Sequence, residues 1–320
     1  MMWRQHSLLV KMMVVLLFLV KTVMAESADS VSSGQPAVGI SGDADSGSTE
    51  ADRSFPVYAS WRGIFAPGSD LYPRYIADPL QPTMAMQYLI IFDSDIPNTG
   101  DSRFLYNLGG RFGLVRLYPN NRTDAGFQID VQAAFLGMFD IENQTDNIGW
   151  DGLYGLLLTW ADGQGTAVKV AIQHDSSHIG DEYIESTGRT RINYTREEVV
   201  LGLSRKIISD LRVYGEGAYG YDLRNTEIQD PWRLQGGLEY KDDDRFMSGR
   251  LGWYAAVDMT FYEENDWDLN LSIQAGLVAP IRNLARTFRL GVGYYNGRSI
   301  LGEFSQFDEE YFSFGLWVDL

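Results

Sequence analysis

Residues 268–277 read Asp-Leu-Asn-Leu-Ser-Ile-Gln-Ala-Gly-Leu. Leu269, Leu271, Ile273, Ala275 and Leu277 alternate with Asp268, Asn270, Ser272, Gln274 and Gly276. Successive side chains of a strand point to opposite faces, whereas apolar positions on a helix recur three and four apart. The stretch is therefore a strand with one apolar and one polar wall. The same period runs through Phe127–Phe139, where Phe127, Ile129, Val131 and Phe135 oppose Gln128, Asp130 and Gln132. It returns in Leu251–Met259, in Phe288–Tyr294 and in the closing Phe312, Phe314, Leu316, Val318 and Leu320.

Twelve such segments are expected, at 84–92, 105–118, 126–139, 150–160, 166–178, 191–204, 211–221, 232–240, 249–261, 268–279, 286–295 and 311–320. Most exceed the five or six residues usual in globular strands and match the ~9–11 that a tilted strand needs to cross a bilayer. A soluble sandwich would pack its apolar faces against a second sheet. An outer-membrane barrel turns them to lipid and lines its lumen with the polar faces.

Trp150 and Trp160 lie ten residues apart on one face of one segment. That spacing rises about 25 Å in a tilted strand, the height of the lipid-facing band between aromatic girdles. With the N-terminus in the periplasm, connections there are short and those outside are mostly longer, the asymmetry of membrane barrels. The reading is all-β: a twelve-stranded antiparallel transmembrane β-barrel in the outer membrane of a Gram-negative-type bacterium. Its last strand, ending on Leu320, would be the element taken up by the barrel-assembly machinery.

Composition agrees. The 320 residues contain 33 Gly, 18 Tyr and 8 Trp, suiting aromatic-rich β-structure. There is no cysteine, hence no disulfide, thiolate metal site or cysteine nucleophile. A formal charge of −17 argues against a nucleic-acid partner, which needs a basic face. No apolar run after residue 25 is long enough for a spanning helix.

Residues 1–25 read as a signal peptide, with Arg4 and Lys11 before the apolar Met12–Val20 and a cleavage-type Val23-Met24-Ala25. Residues 26–54 are a Ser/Gly/Asp-rich linker of disordered composition. Residues 55–83 form a Pro-rich periplasmic arm holding five prolines between Pro56 and Pro82. Pro cannot donate to a ladder, so an ordered but irregular arm, without strand, is expected. Residues 84–320 are the barrel.

The chemistry concentrates in Gln173-His174-Asp175-Ser176-Ser177-His178-Ile179-Gly180-Asp181-Glu182. The lipid-facing parity of this strand is even, carried by Val168, Val170 and Ile172. Continued outward, it places His174, Ser176 and His178 on the lipid side, His174 and Ser176 about 6.6 Å apart at Cα. On the next strand the outward parity is odd, through Val199, Leu201 and Leu203, and reaches Glu197, Thr195 and Asn193. Opposed residues of antiparallel neighbours share a face. Ser176 as nucleophile, His174 as base and Asn193 as orienter, with Glu197 as its substitute, then follow the logic of an activated serine. A site aimed at the outer leaflet implies outer-membrane acyl lipids as its partners.

His174-Asp175-Ser176 on a twelve-stranded barrel resembles the outer-membrane phospholipase A and lipid A deacylase families, in which a His-x-Ser pair faces the outer leaflet. That resemblance implies lipid acyl-ester hydrolysis and a calcium requirement, with Asp181, Glu182 and Glu185 the nearest oxygen ligands. This chain departs from the pattern in carrying Ser177 after Ser176, and Gly188 fourteen residues after His174. A wider resemblance runs through Phe65-Ala66-Pro67, Ala77-Asp78-Pro79, His174-x-Ser-Ser-His-x-Gly-Asp-Glu182 and Tyr295-Asn-Gly-Arg-Ser299. It is to a bacterial family labelled as a domain of unknown function, whose members are predicted outer-membrane barrels.

Three readings compete with hydrolysis. The His174–Glu182 stretch is also what a polar loop entrance looks like. His174, His178, Asp175, Asp181 and Glu182 are candidate metal ligands, although a His-x3-His spacing suits a helix better than a strand. Finally, Gln128, Asp130, Arg212, Glu216, Arg233 and Asp258 put both signs of charge in the lumen, so a non-enzymatic structural barrel or a narrow pore is the alternative function.

Overall fold

Every one of the twelve alternating segments forms a strand. The computed structural model describes residues 54–58, 61–119, 122–247, 250–281 and 286–319. The proposed signal peptide, all but the last residue of the linker, and Leu320 lie outside them.

The barrel strands are β3 (Met84–Ser94), β4 (Ser102–Pro119), β5 (Ala125–Asp140), β6 (Asp146–Asp162), β7 (Thr166–Ile179) and β8 (Thr195–Ile208), followed by β9 (Leu211–Leu223), β10 (Trp232–Phe246), β11 (Leu251–Tyr262), β12 (Leu269–Ile281), β13 (Arg286–Arg298) and β14 (Asp308–Asp319). Each pairs antiparallel with its neighbour in sequence, and β14 returns to β3 through Val318↔Met84 up to Glu309↔Ser94. The ring is closed, so the wall satisfies its backbone hydrogen bonds from strand to strand, as a barrel in lipid requires.

Exposure inverts the rule of soluble proteins. On β12, Leu269, Ile273 and Leu277 are exposed, while Asn270, Ser272 and Gln274 are buried. On β8, Leu201 is 61% exposed and Glu198 only 6%. An apolar outer wall around a polar interior is stable only in hydrocarbon, and the fold is a transmembrane β-barrel.

Residues 55–65 depart from the expected irregular arm. Ser54–Tyr58 and Trp61–Phe65 form two strands, β1 and β2, joined as an antiparallel hairpin. β3 covers β4 only as far as Leu108. The far end of β4 pairs with β2, from Phe65↔Val115 to Trp61↔Pro119. The hairpin thus covers an edge that β3 is too short to reach. Pro56 is tolerated because β1 is the outermost strand of the sheet. Ala66, at φ 47°, then turns the chain away from β2.

Residues 66–83 contain no helix or strand, and they lie inside the barrel. Their backbone carbonyls are taken up by the inward-facing wall. Arg111 donates to Tyr72 O at 2.9 Å, Arg212 to Pro73 O at 3.2 Å, Arg289 to Ile76 O at 3.2 Å and Asn107 to Gln81 O at 3.1 Å. Ile76 N donates to Glu239 at 2.6 Å. A segment without secondary structure can be buried because wall side chains satisfy its backbone.

The other mouth is closed by apolar packing. Leu89, Ile91, Leu105, Leu136, Met138 and Ile148 point inward near the outer strand ends and pack with Ile300, Leu301 and Phe304 of the β13–β14 loop. Tyr183 of the short helix α1 (Asp181–Thr187) joins them.

Candidate functional site

The site grows out of β7, which carries its side chains alternately to lipid and to lumen. His174 lies opposite Glu197 of β8 and opposite Tyr154 of β6. All three face outward. His174 Nδ1 meets Glu197 Oε1 at 2.5 Å, and the imidazole stacks on the Tyr154 ring at 4.2 Å. The second Glu197 oxygen accepts from Tyr221 Oη of β9 at 3.5 Å. With the carboxylate accepting, Nδ1 carries the proton and Nε2 is left as the basic nitrogen.

Ser176 sits two residues along, opposite Gly152 of β6 and Thr195 of β8. Among the described residues no hydrogen bond joins Ser176 Oγ to His174. Their Cα atoms are about 6.6 Å apart by strand geometry.

β8 begins at Thr195, four residues later than the alternation suggests. Tyr194 O still accepts from Ser177 N at 3.0 Å, but Asn193 has φ 56° and has left the strand. Its side chain is exposed. Continued past Ser176↔Thr195, the register sets Asn193 level with His178. Glu197 is the residue placed against His174.

His178 stacks on Trp150 at 4.0 Å, Trp150 on Phe135 at 4.7 Å, and Phe135 in turn on Tyr106 at 5.8 Å. The four rings form an outer aromatic band across β4 to β7, the girdle expected where a barrel leaves hydrocarbon. Asp181, Glu182 and Glu185 lie on the exposed face of α1. Among the described residues no three His, Asp or Glu side chains are grouped as a metal ion would require.

The inward residues of the same stretch do different work. Ser177 donates to Asp151 and accepts from Glu303 N at 2.8 Å, while Asp151 also accepts from Gly302 N at 3.0 Å. Glu303, fully buried, accepts from Ile192 N at 2.7 Å and Tyr194 N at 3.3 Å. These contacts tie the loop that caps the barrel to the segment before β8. Asp175 lines an internal cavity of about 130 Å³ with Lys169, Arg196, Glu198, Glu216 and Arg233. In the loop above, Glu264 accepts from Tyr194 Oη and pairs with Arg196, each at 3.1 Å. Burial still outweighs the guanidinium and pushes the Glu264 carboxyl up to about 7.

Tyr154 and Tyr221 do not stand out in the sequence. Their signal is register: only the β6–β7–β8–β9 pairings show that these rings flank His174 and Glu197. Gly180 carries a clearer signal, because a Cβ there would lie 1.8 Å from Asn147 O. It is the close approach that lets α1 fold against β6.

The fold has solved counterparts. An outer membrane phospholipase from Salmonella typhi, a dimer with bound calcium, aligns over 78% of this chain and 95% of its own, at 14% identity and a TM-score of 0.51. Outer membrane phospholipase A from Escherichia coli aligns over 75% of this chain and 94% of its own, also at 14% identity, with a TM-score of 0.49. No curated protein sequence matches the chain. A closed twelve-stranded barrel with a lipid-facing apolar wall, sharing its fold with the Salmonella typhi outer-membrane protein, is an outer-membrane protein. A family model described as protein of unknown function (DUF1207) matches residues 25–319, and the chain belongs to that family.

Proposed function

We propose that the protein is a lipid acyl-ester hydrolase working on the outer leaflet from the outside of its own barrel. The observation that carries this is the His174 Nδ1 to Glu197 Oε1 contact of 2.5 Å on a lipid-facing wall, with Ser176 next on the same face. A carboxylate that orients an imidazole beside a hydroxyl has a chemical use, whereas an unpaired ionisable group facing lipid is only a cost.

In this reading Ser176 Oγ attacks the ester carbonyl as its proton passes to His174 Nε2. The alcohol half of the lipid leaves with that proton, and an acyl-serine remains. Water then attacks the acyl-serine, giving one proton to His174, which returns it to Ser176 Oγ as the fatty acid leaves. Glu197 stabilises the imidazolium in both steps. Chemistry requires Ser176 Oγ to come within about 2.6–3.2 Å of Nε2. Asn193, set near His178, is the outer alternative as orienter; the 2.5 Å contact favours Glu197.

Calcium enters only through the Salmonella typhi protein, which is recorded with bound calcium. Asp181, Glu182 and Glu185 stand exposed on α1, and among the described residues they are not grouped as ligands of one ion. The second reading, a structural barrel without chemistry, is supported by the occupied and capped lumen, which also counts against an open pore.

The test is fatty-acid release from phospholipid and lipopolysaccharide micelles by refolded protein, with and without added calcium. Release by the wild type, reduced to background in Ser176→Ala and by roughly 10³-fold in Glu197→Gln, is the expected result. Equal release from Ser176→Ala and the wild type, both shown folded by heat-modifiable gel mobility, would end the catalytic reading.

A further inference from the structure

The outer wall around Ser176 has a relief that the hydrolase reading does not use. Three rows of side chains cross it. Above, Trp150 and His178 stack at 4.0 Å; below, Tyr154 and His174 stack at 4.2 Å. Between them the register sets Phe135, Gly152, Ser176 and Thr195 side by side across β5 to β8. Two ring ridges therefore flank a row whose middle members are a glycine and a serine.

The floor of that row is open. A methyl group built on Gly152 would meet nothing nearer than Ser176 Oγ at 3.6 Å, then Ser176 O and Trp150 Cζ3 at 3.9 Å. The outward Gly137, two positions along β5 from Phe135, has no such space: a methyl there would lie 2.5 Å from Tyr106 Oη. Below the trough the wall is apolar, with Leu156 51% and Ile172 42% exposed. What surrounds this face is hydrocarbon, so a lipid is what can enter.

We infer that the trough over Gly152 is a lipid-binding site that seats the ester linkage of an acyl lipid between the two ridges. The acyl chain runs down over Tyr154 and Leu156 towards the bilayer centre, and the headgroup leaves past Trp150 and His178 into the aromatic band. The polar ester falls over the hydroxyls of Ser176 and Thr195, the small polar groups of an otherwise ring-lined wall. This deepens the hydrolase reading by placing the ester of its substrate on one stretch of the outer wall. The trough rests on that reading only for its use, since binding is measurable without turnover.

The experiment incorporates refolded protein into phosphatidylcholine vesicles containing a phosphatidylcholine with a diazirine next to one ester. After illumination, tryptic peptides 123–169 and 170–189, which carry the two ridges, are compared with the rest of the wall. Labelling concentrated in those peptides is expected, about tenfold lower in Gly152→Leu. Gly217→Leu is the control, on an outward glycine of β9 where an added methyl has its nearest contact 3.6 Å away. Competition by unlabelled phospholipid or by lipopolysaccharide identifies which acyl ester the trough prefers. Labelling spread evenly around the barrel, or unaltered by Gly152→Leu, overturns the site. Focused labelling without any fatty-acid release leaves the trough standing and removes Ser176 as nucleophile. Release that survives in Gly152→Leu while labelling is unfocused does the reverse.

Discussion

At the scale of single residues, alternation is enough to say which way a side chain points and too little to say what it meets. His174, Ser176 and Ser177 show both halves of this. The period of two puts His174 and Ser176 outward and Ser177 inward, and they are so placed. The partner of His174 depends instead on where β8 starts. That start is set by Asn193 at φ 56° and by Glu303 binding Ile192 N and Tyr194 N, contacts more than a hundred residues apart. Glu264 makes a second residue-scale prediction. Its folded carboxyl titrates at about 7 against a usual 4.5, so the folded state holds the protonated form more tightly. The sign follows: its contribution is fully present below pH 4.5 and is lost as pH rises towards 7. Trypsin cleavage at Arg189 and Arg191, followed across that range, should become faster with rising pH. In Glu264→Gln this dependence should flatten.

At the scale of elements, the arm is the part that composition misdescribes. Its five prolines led to the expectation of no strand anywhere in 55–83, but a hairpin forms at its start because β4 outruns β3, a relation between two elements that neither one displays alone. Inside the barrel the arm is fastened by a small set of rings and charges. Tyr75 stacks on Tyr214 at 3.8 Å, donates to Glu216 at 2.7 Å and lies under Lys169 at 4.6 Å. Lys169 in turn pairs with Glu216 at 2.6 Å. Tyr75→Ala should destabilise this attachment by about 3 kcal/mol, from lost ring burial and the lost hydrogen bond to Glu216. The measurement is protease access to Arg74, with a barrel that still shifts on a heat-modifiable gel. Tyr75→Phe, which keeps the ring and loses the hydroxyl, should cost about 1 kcal/mol. The helix α1 supplies a second case: Gly180→Ala places its methyl 1.8 Å from Asn147 O. Displacement of α1 from β6 is the expected outcome, read as faster hydrogen exchange at Tyr183 and Ile184.

For the whole molecule, the fold is legible because a membrane barrel repeats one simple pattern twelve times, and the bilayer enforces that pattern on every strand. What lies within the wall follows no period and leaves no comparable trace. The lumen is filled from one side by polar contacts to the arm and from the other by the apolar loop around Leu301 and Phe304. In planar bilayers the wild type is expected to show no steady conductance, whereas an open pore of twelve strands would give discrete steps.

The threaded arm also dictates an order of events. Tyr75 meets Glu216 across 141 positions of sequence, and Ile76 meets Arg289 across 213. Both partners are made long after the arm leaves the ribosome, and the wall that encloses them is completed only when β14 meets β3. Closing that seam around an empty lumen would leave Arg212 and Arg289 without the carbonyls of Pro73 and Ile76, and Glu216 without the Tyr75 hydroxyl. An arm already in place when the later strands gather round it makes these contacts as the wall forms, and the closing of the β14–β3 seam then encloses it.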